Sequence, residues 1–181
     1  EPFLYYRVTL GGALSVLQPM AETGVKAFVF SSTAATFGEP QTTPIDETHP
    51  QRPINPYGES KLAVERVFAH MERGFGIKAI ALRYFNAAGA EENGLIGEDH
   101  QPEEHLIPLA IAAARGGRPL TVFGDDWDTP DGTCVRDYIH VSDLADAHVA
   151  SLTRLESGGS SGFFNLGNGD GMSVKQVIDA V

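Results

Sequence analysis

Apolar and polar positions change period several times along the chain, and each change marks an element. From Thr9 to Glu22, Leu10, Leu14, Leu17 and Met20 recur at helical spacing, and Gly24 follows, which predicts a helix with a glycine stop. Pro19 disturbs its last turn. Val25 to Ser31 (VKAFVFS) is short, β-branched and aromatic, the pattern of a buried strand. Beyond a proline-rich loop from Glu39 to Pro56, residues Tyr57, Lys61, Val64, Phe68, Met71 and Phe75 fall on one helical face. Asn55 can cap that helix and Pro56 can occupy its first position, where a missing N–H costs nothing. Ile77 to Arg83 (IKAIALR) reads as the next strand.

The second half alternates in the same way. An alanine-rich helix is predicted from His105 to Arg115, a short strand from Leu120 to Phe123, and an acidic loop from Asp125 to Thr133. Tyr138 to Val141 reads as extended, Ser142 as the cap of a helix to about Leu155, Phe163 to Leu166 as a strand, and Ser173 as the start of a last helix. Ser157 to Gly162 (SGGSSG) is a flexible connection. Helices alternating with strands predict the α/β class, with a partial doubly wound, Rossmann-like parallel sheet and part of a smaller substrate-binding domain. Ligands of such sheets bind beyond the carboxyl ends of the strands, and Thr33 and Asn86 lie just past two of those ends.

Composition narrows the partners. The formal net charge is -11, from 13 Lys plus Arg against 24 Asp plus Glu, so a nucleic acid or anionic membrane surface would be repelled. No apolar run reaches the roughly 20 residues a bilayer needs. The single Cys134 cannot form an internal disulfide, which points to a reducing, cytoplasmic setting. A start at Glu1 without methionine and an end at Val181 inside a helical pattern are the marks of a fragment.

The candidate chemistry starts at Tyr57 and Lys61, four apart on one helix face. From spacing alone, a snorkelling lysine and a core-edge tyrosine are the ordinary reading. Their face continues as Val64, Phe68 and Met71, however, and a lysine at the head of a buried stripe asks for a partner. Thr33, at the end of the neighbouring strand, could reach the tyrosine hydroxyl from the other side. A free tyrosine has a pKa of ~10, so a base at neutral pH needs a shift of about three units, roughly 4 kcal/mol of preferential phenolate stabilisation. One ammonium supplies part of that, and a cationic cofactor can supply more.

At this point a set of blocks carries a resemblance over nearly the entire chain: PFLYY, VKAFVFSSTAATFGEP, NPYGESKLAVE, LRYFNAAGA, IGEDH, HLIPLA, TVFGDDWDTPDGTCVRDYIHVSDLADAH and FNLGNGDGMSV. The chain resembles the extended short-chain dehydrogenase/reductase family, in particular its UDP-glucose (UDP-galactose) 4-epimerases. The resemblance implies NAD as cofactor and hydride transfer from C4 of a UDP-hexose. The 4-keto sugar then turns over, and the hydride returns to the opposite face. It implies Tyr57 as the base, Lys61 on the nicotinamide ribose and Thr33 on the sugar hydroxyl. Phe30, Ser31, Ser32 and Tyr84 match positions lining the cofactor. Asn86 matches a contact to the UDP portion, and Arg136 a partner of the pyrophosphate, where a planar guanidinium suits a bidentate anion. Leu106, Thr121 and Phe123 match residues around uridine. Thr9 stands where an asparagine meets NAD in the family, Gly11 where another asparagine is common, and Glu104 and His105 where some relatives have asparagines near uridine. Without the family, Arg136 beside Asp137 reads as a surface ion pair, Asn86 as a turn former and Phe123 as core.

The resemblance also implies a domain plan. Residues 1–86 would be an NAD-binding part lacking its glycine-rich loop, and 87–181 mainly a sugar-nucleotide region, with about 138–155 packing back on the first part. The fragment alone is expected to be inactive, and the whole protein to be a homodimer. Two alternatives stay open: another reaction of the same site, either a sugar-nucleotide 4,6-dehydratase or a 4-epimerase of UDP-pentoses or N-acetylhexosamines, and a non-catalytic nucleotide-sugar-binding piece. The dehydratase needs acidic groups after the threonine, where Ala34 and Ala35 stand.

Several local patterns are set aside. Gly167-Asn168-Gly169-Asp170-Gly171 imitates a dinucleotide fingerprint but has its third glycine one residue early. Gly158 to Gly162 matches a nucleophile elbow in letters but follows a helix and precedes a strand. Asp126, Asp128 and Asp131 suggest a calcium loop, yet Pro130 breaks it. The six histidines show no ligand spacing, so no metal is expected.

Overall fold

The structure, a computed structural model, describes residues 1–181. In chain order the first elements are helix α1 (Pro2–Tyr5), a π-helical stretch (Tyr6–Gly11), helix α2 (Gly12–Thr23), strand β1 (Ala27–Thr33), a 3-10 turn (Ala34–Thr36), helix α3 (Pro56–Phe75), and strands β2 (Lys78–Tyr84) and β3 (Asn86–Ala88). Then follow helix α4 (Leu106–Ala114), strands β4 (Val135–Arg136) and β5 (Tyr138–His140), helix α5 (Val141–Glu156), strands β6 (Gly162–Leu166) and β7 (Met172–Ser173), and helix α6 (Val174–Asp179). The chain divides into two compact units: Glu1–Phe85 with Leu144–Leu166, and Asn86–Asp143 with Gly167–Val181. No helix is long and apolar enough to cross a membrane.

The first unit is a parallel sheet in the order β1-β2-β6. β2 is its central strand, and its apolar residues serve both faces, as a covered parallel strand requires. Ala79 and Ala81 pack with Ala13, Val64 and Phe68, while Ile80 and Leu82 pack with Leu155 on the other side. Leu17, Met20 and Ile77 close a second cluster beside the first. The register pairs Thr33 with Tyr84 and Tyr84 with Leu166, so three carboxyl ends line up along one sheet edge. α3 begins as its sequence predicts: the Asn55 side chain accepts from the Gly58 N–H, Pro56 takes the first position, and Gly76 ends the helix in the left-handed region. Val64 and Phe68 are buried, but Phe75, the last residue of the helix, is half exposed.

Several expected boundaries move. The helix expected from Thr9 starts instead at Pro2 and passes through the π-helical stretch that contains Thr9. The strand expected from Val25 starts at Ala27, with Val25 and Lys26 joining it to the glycine that ends α2. The strand expected at Leu120 to Phe123 does not form: no neighbouring strand offers a ladder there, Phe123 is 94% exposed, and its reading as core falls with it. Ser142 does not cap α5, which already starts at Val141; its N–H donates to His140 Nδ1 at 3.2 Å.

The second unit is held by two short ladders, parallel β3–β5 and antiparallel β4–β7, neither foreseen as pairings. α6 starts at Ser173 with a reciprocal capping box to Gln176. The glycine turn after β6 has its own occupant. The Asp137 carboxylate accepts from the N–H groups of Asn168 (2.8 Å) and Gly169 (3.1 Å), and a Cβ on Gly167 would lie 2.4 Å from Asp137 Oδ2. The turn that imitates a phosphate loop is therefore filled by a side chain of the same unit.

Candidate active site

Within the first unit, Thr33 ends β1 and Tyr57 opens α3. Gly58 sits against Ala35, where a Cβ would come within 2.4 Å of the Ala35 carbonyl oxygen, so the helix start lies close on the turn that follows Thr33. Thr33 accepts the Ala35 N–H at 3.1 Å, which leaves its own hydroxyl proton to donate. Burial pushes the Tyr57 phenol above its ordinary range. The Thr33 hydroxyl opposes this by favouring the phenolate, and Tyr84 and Tyr5 add to the upward push. Tyr5 stands edge-on to Tyr57 at 6.0 Å between ring centroids.

Lys61 lies one turn along the same face. Its ammonium donates to the Ser31 carbonyl oxygen at 2.8 Å and sits 4.9 Å from the Phe30 ring centroid and 5.7 Å from that of Tyr57. Burial holds its pKa below the ordinary lysine range. The Ser31 hydroxyl meets His148 Nε2 at 2.9 Å; His148 Nδ1 lies 2.7 Å from the Leu144 carbonyl and donates to it, so in the neutral ring Nε2 accepts. Thus Phe30, Ser31, Thr33, Tyr57, Lys61 and Tyr84 gather at one end of the sheet. Thr9 is half-buried in the π-helical stretch, which packs on α3.

Ser32 does not join them. It is fully buried, and its hydroxyl donates to Glu65 Oε1 at 2.5 Å, so that hydroxyl is spent inside the protein. The Glu65 and Arg83 pair behind it was not singled out from the sequence, although a glutamate four residues after Lys61 and an arginine ending an apolar strand were available signals.

The family model for the "NAD dependent epimerase/dehydratase family" matches residues 1–167. The chain belongs to that family. It is similar to the UDP-glucose 4-epimerase of Halalkalibacterium halodurans, 53% identical over 180 residues, covering 99% of this chain and 54% of the relative. Among solved structures it resembles the Brucella ovis UDP-glucose 4-epimerase in complex with NAD (46% identity, TM-score 0.93), covering 97% of this chain and 54% of that one. It also resembles the Bifidobacterium longum UDP-glucose 4-epimerase in complex with NAD+ and UDP (42% identity, TM-score 0.85), covering 99% of this chain and 54% of that one. The chain thus spans about half the length of the relatives it matches.

For this member of the epimerase/dehydratase family, the other expected ligand residues lie in the second unit. Asn86 spends its N–H (3.1 Å) and its side-chain amide (2.8 Å) on the Asp137 carbonyl oxygen. Arg136 is exposed and its side chain makes one hydrogen bond, to the Val135 carbonyl oxygen at 3.1 Å, so the surface ion pair with Asp137 does not form. Leu106 opens α4, and Thr121 and Phe123 are exposed in the irregular segment after it. His105 precedes α4, with Nδ1 2.5 Å from Glu98 Oε1 and 3.1 Å from Glu103 Oε1. Together with His100 these groups place four ligand-type atoms within 4.8 Å of one another. Linear spacing did not reveal this convergence, which comes from the fold of the loop.

Proposed function

We propose that these 181 residues carry the proton-transfer centre of a UDP-hexose 4-epimerase that interconverts UDP-glucose and UDP-galactose with NAD. The observation that supports it most is the joint placement of Tyr57, Lys61 and Thr33 at the carboxyl ends of a parallel sheet. In this reading the first unit holds NAD, and Asn86, His105, Leu106, Thr121, Phe123 and Arg136 of the second unit take the UDP portion.

The residues suit the nicotinamide-ribose half of NAD. Lys61 uses one of its three ammonium protons on Ser31, leaving two donors for ribose hydroxyls. Phe30, Ser31 and Tyr84 supply the flanking surface, and Thr9 a further polar contact. The Gly167 to Gly169 turn is not a candidate for the pyrophosphate, because Asp137 fills it. When bound, NAD would take up and return the C4 hydride. Tyr57 would accept the C4 hydroxyl proton while Thr33 hydrogen-bonds the same oxygen, and the Lys61 charge would offset the burial that now holds the phenol neutral. The same tyrosine would return the proton after the keto sugar turns, so inversion needs no second base.

The 3-10 turn after Thr33 consists of Ala34, Ala35 and Thr36 and offers no acid, which favours epimerisation over a 4,6-dehydratase. The whole protein is proposed to act in the cytoplasm on UDP-sugars, without nucleic-acid or membrane partners, as a homodimer. Exposed Phe3, Leu4, Val8, Leu14 and Val16 along the first helical stretch are the apolar surface such a dimer would cover. The test is a hybrid in which this chain replaces the matching segment of the Halalkalibacterium halodurans relative. Interconversion of UDP-galactose and UDP-glucose, lost in Tyr57→Phe, is expected. A hybrid that folds and holds NAD but yields a 4-keto-6-deoxy sugar, or no product, would overturn the reading.

A further inference from the structure

We propose that Glu65 and Arg83 form a buried clamp that sets the spacing of Thr33, Tyr57 and Lys61, making Glu65 a positioning residue of the site. The inference rests on the proposed role of Tyr57 as the proton acceptor. Glu65 lies on α3 one turn beyond Lys61, and its carboxylate is saturated by three elements. Oε1 accepts from the Ser32 hydroxyl (2.5 Å) and Arg83 Nε (3.0 Å), while Oε2 accepts from Arg83 Nη2 (2.7 Å) and Gln51 Nε2 (3.0 Å). Ser32 immediately precedes Thr33 on β1, and Arg83 immediately precedes Tyr84 on β2. One carboxylate therefore ties the helix bearing Tyr57 and Lys61 to both strands whose ends face them.

The geometry is tightly held. The side chains of Arg83 and Glu65 are only 4% and 2% exposed, and the guanidinium lies 5.3 Å from the Phe37 ring and 4.8 Å from the Phe163 ring. Stability alone is a poor reason for such a pair. Two charges are fully desolvated, and Arg83 Nη1 is buried with no acceptor at all, so an apolar pair of similar volume would serve folding at least as well. An apolar pair has no direction, however. It would let α3 slide against β1, whereas the fork of Arg83 and the single Ser32 hydroxyl fix where along the strand the helix sits.

The experiment uses the same hybrid. Glu65→Met and Arg83→Met are each expected to lower the melting temperature, because each leaves a lone buried charge. The pair together is expected to regain it while kcat stays about 10²-fold low, the size of effect that a displacement of about 1 Å produces, with KM for UDP-galactose within about threefold. Ser32→Ala, which cuts only the tie to β1, should lower kcat in the same direction with little change in melting. A melting-restored pair variant with kcat within about threefold of the parent would overturn the clamp. If the parent hybrid is inactive, the function fails and the clamp is judged separately, by the ¹³C-detected titration of Tyr57 in the 181-residue chain. A shifted titration in the pair variant supports it, and an unchanged one overturns it.

Discussion

The Lys61 ammonium and the Ser31 carbonyl oxygen are 2.8 Å apart, and this is the only hydrogen bond that the ammonium makes. Burial disfavours its charged form, so at neutral pH the ammonium is a standing cost to the folded chain, relieved only as pH rises through its lowered pKa. Such a cost is tolerated where the charge has a task. Lys61→Met is therefore expected to melt no lower than the parent at pH about 7, while lowering kcat of the hybrid by about 10²-fold or more. Thermal melts and UDP-galactose turnover, measured on the same preparations, check both halves.

The phenols give a second, independent readout. Burial raises the pKa of Tyr57 and of Tyr138. The folded state then holds a proton that the unfolded state has released, so stability contributed by these groups is complete below the ordinary tyrosine value of 10.0 and falls as pH rises beyond it. In ultraviolet titration of the 181-residue chain, Tyr57→Phe and Tyr138→Phe are each expected to remove a late-ionising component. In the NAD-loaded hybrid the Tyr57 ionisation should move down, since a cationic ring then joins Lys61 in favouring the phenolate.

At the acid end Asp131 is one contributing group. Its pKa is held down to about 2 by the hydroxyls of Ser173 and Thr133 and by the Thr133 N–H, with Lys175 nearby. These bonds tie the loop before β4 to the cap of α6. The carboxylate stabilises the fold above the ordinary aspartate value of 3.8, and that contribution fades as pH falls from there towards 2. Asp131→Asn should therefore lower the melting temperature near neutrality and flatten its dependence on pH across that window, as read by melts in a pH series.

What the sequence disclosed follows from which forces are local. α3 was legible to its cap because Asn55, Pro56, the apolar stripe and Gly76 all act within one segment. β2 was legible because a strand covered on both faces carries an unbroken apolar run, here Ala79 to Leu82. Leu120 to Phe123 carries similar letters, but a strand exists only where a neighbour accepts its ladder, and that is a property of the fold. The same limit hid β3, β4 and β7, each three residues or fewer. At the site, Tyr57, Lys61 and Thr33 were recognisable from their context. Glu65 was not, because its partners Ser32, Gln51 and Arg83 are scattered along the chain.

Gly58 offers the most direct test of how tightly that site is built. A glycine in the first turn of a helix gives up about 1 kcal/mol of propensity relative to alanine, so a substitution to alanine would ordinarily help. Here the added Cβ would meet the Ala35 carbonyl oxygen at 2.4 Å and Pro53 Cβ at 3.1 Å, and the first of these is backbone that cannot swing aside. Ala35 is also the donor to the Thr33 hydroxyl oxygen, so any relief moves the residue that faces Tyr57. Gly58→Ala should destabilise the chain by about 1–3 kcal/mol through this overpacking, despite the gain in propensity. In the hybrid it should lower kcat more than it raises KM, because the substitution displaces the start of α3 from the end of β1. Denaturant unfolding and steady-state kinetics separate the two effects, and an alanine variant as stable and as fast as the parent would show that helix and turn are not in the close contact described.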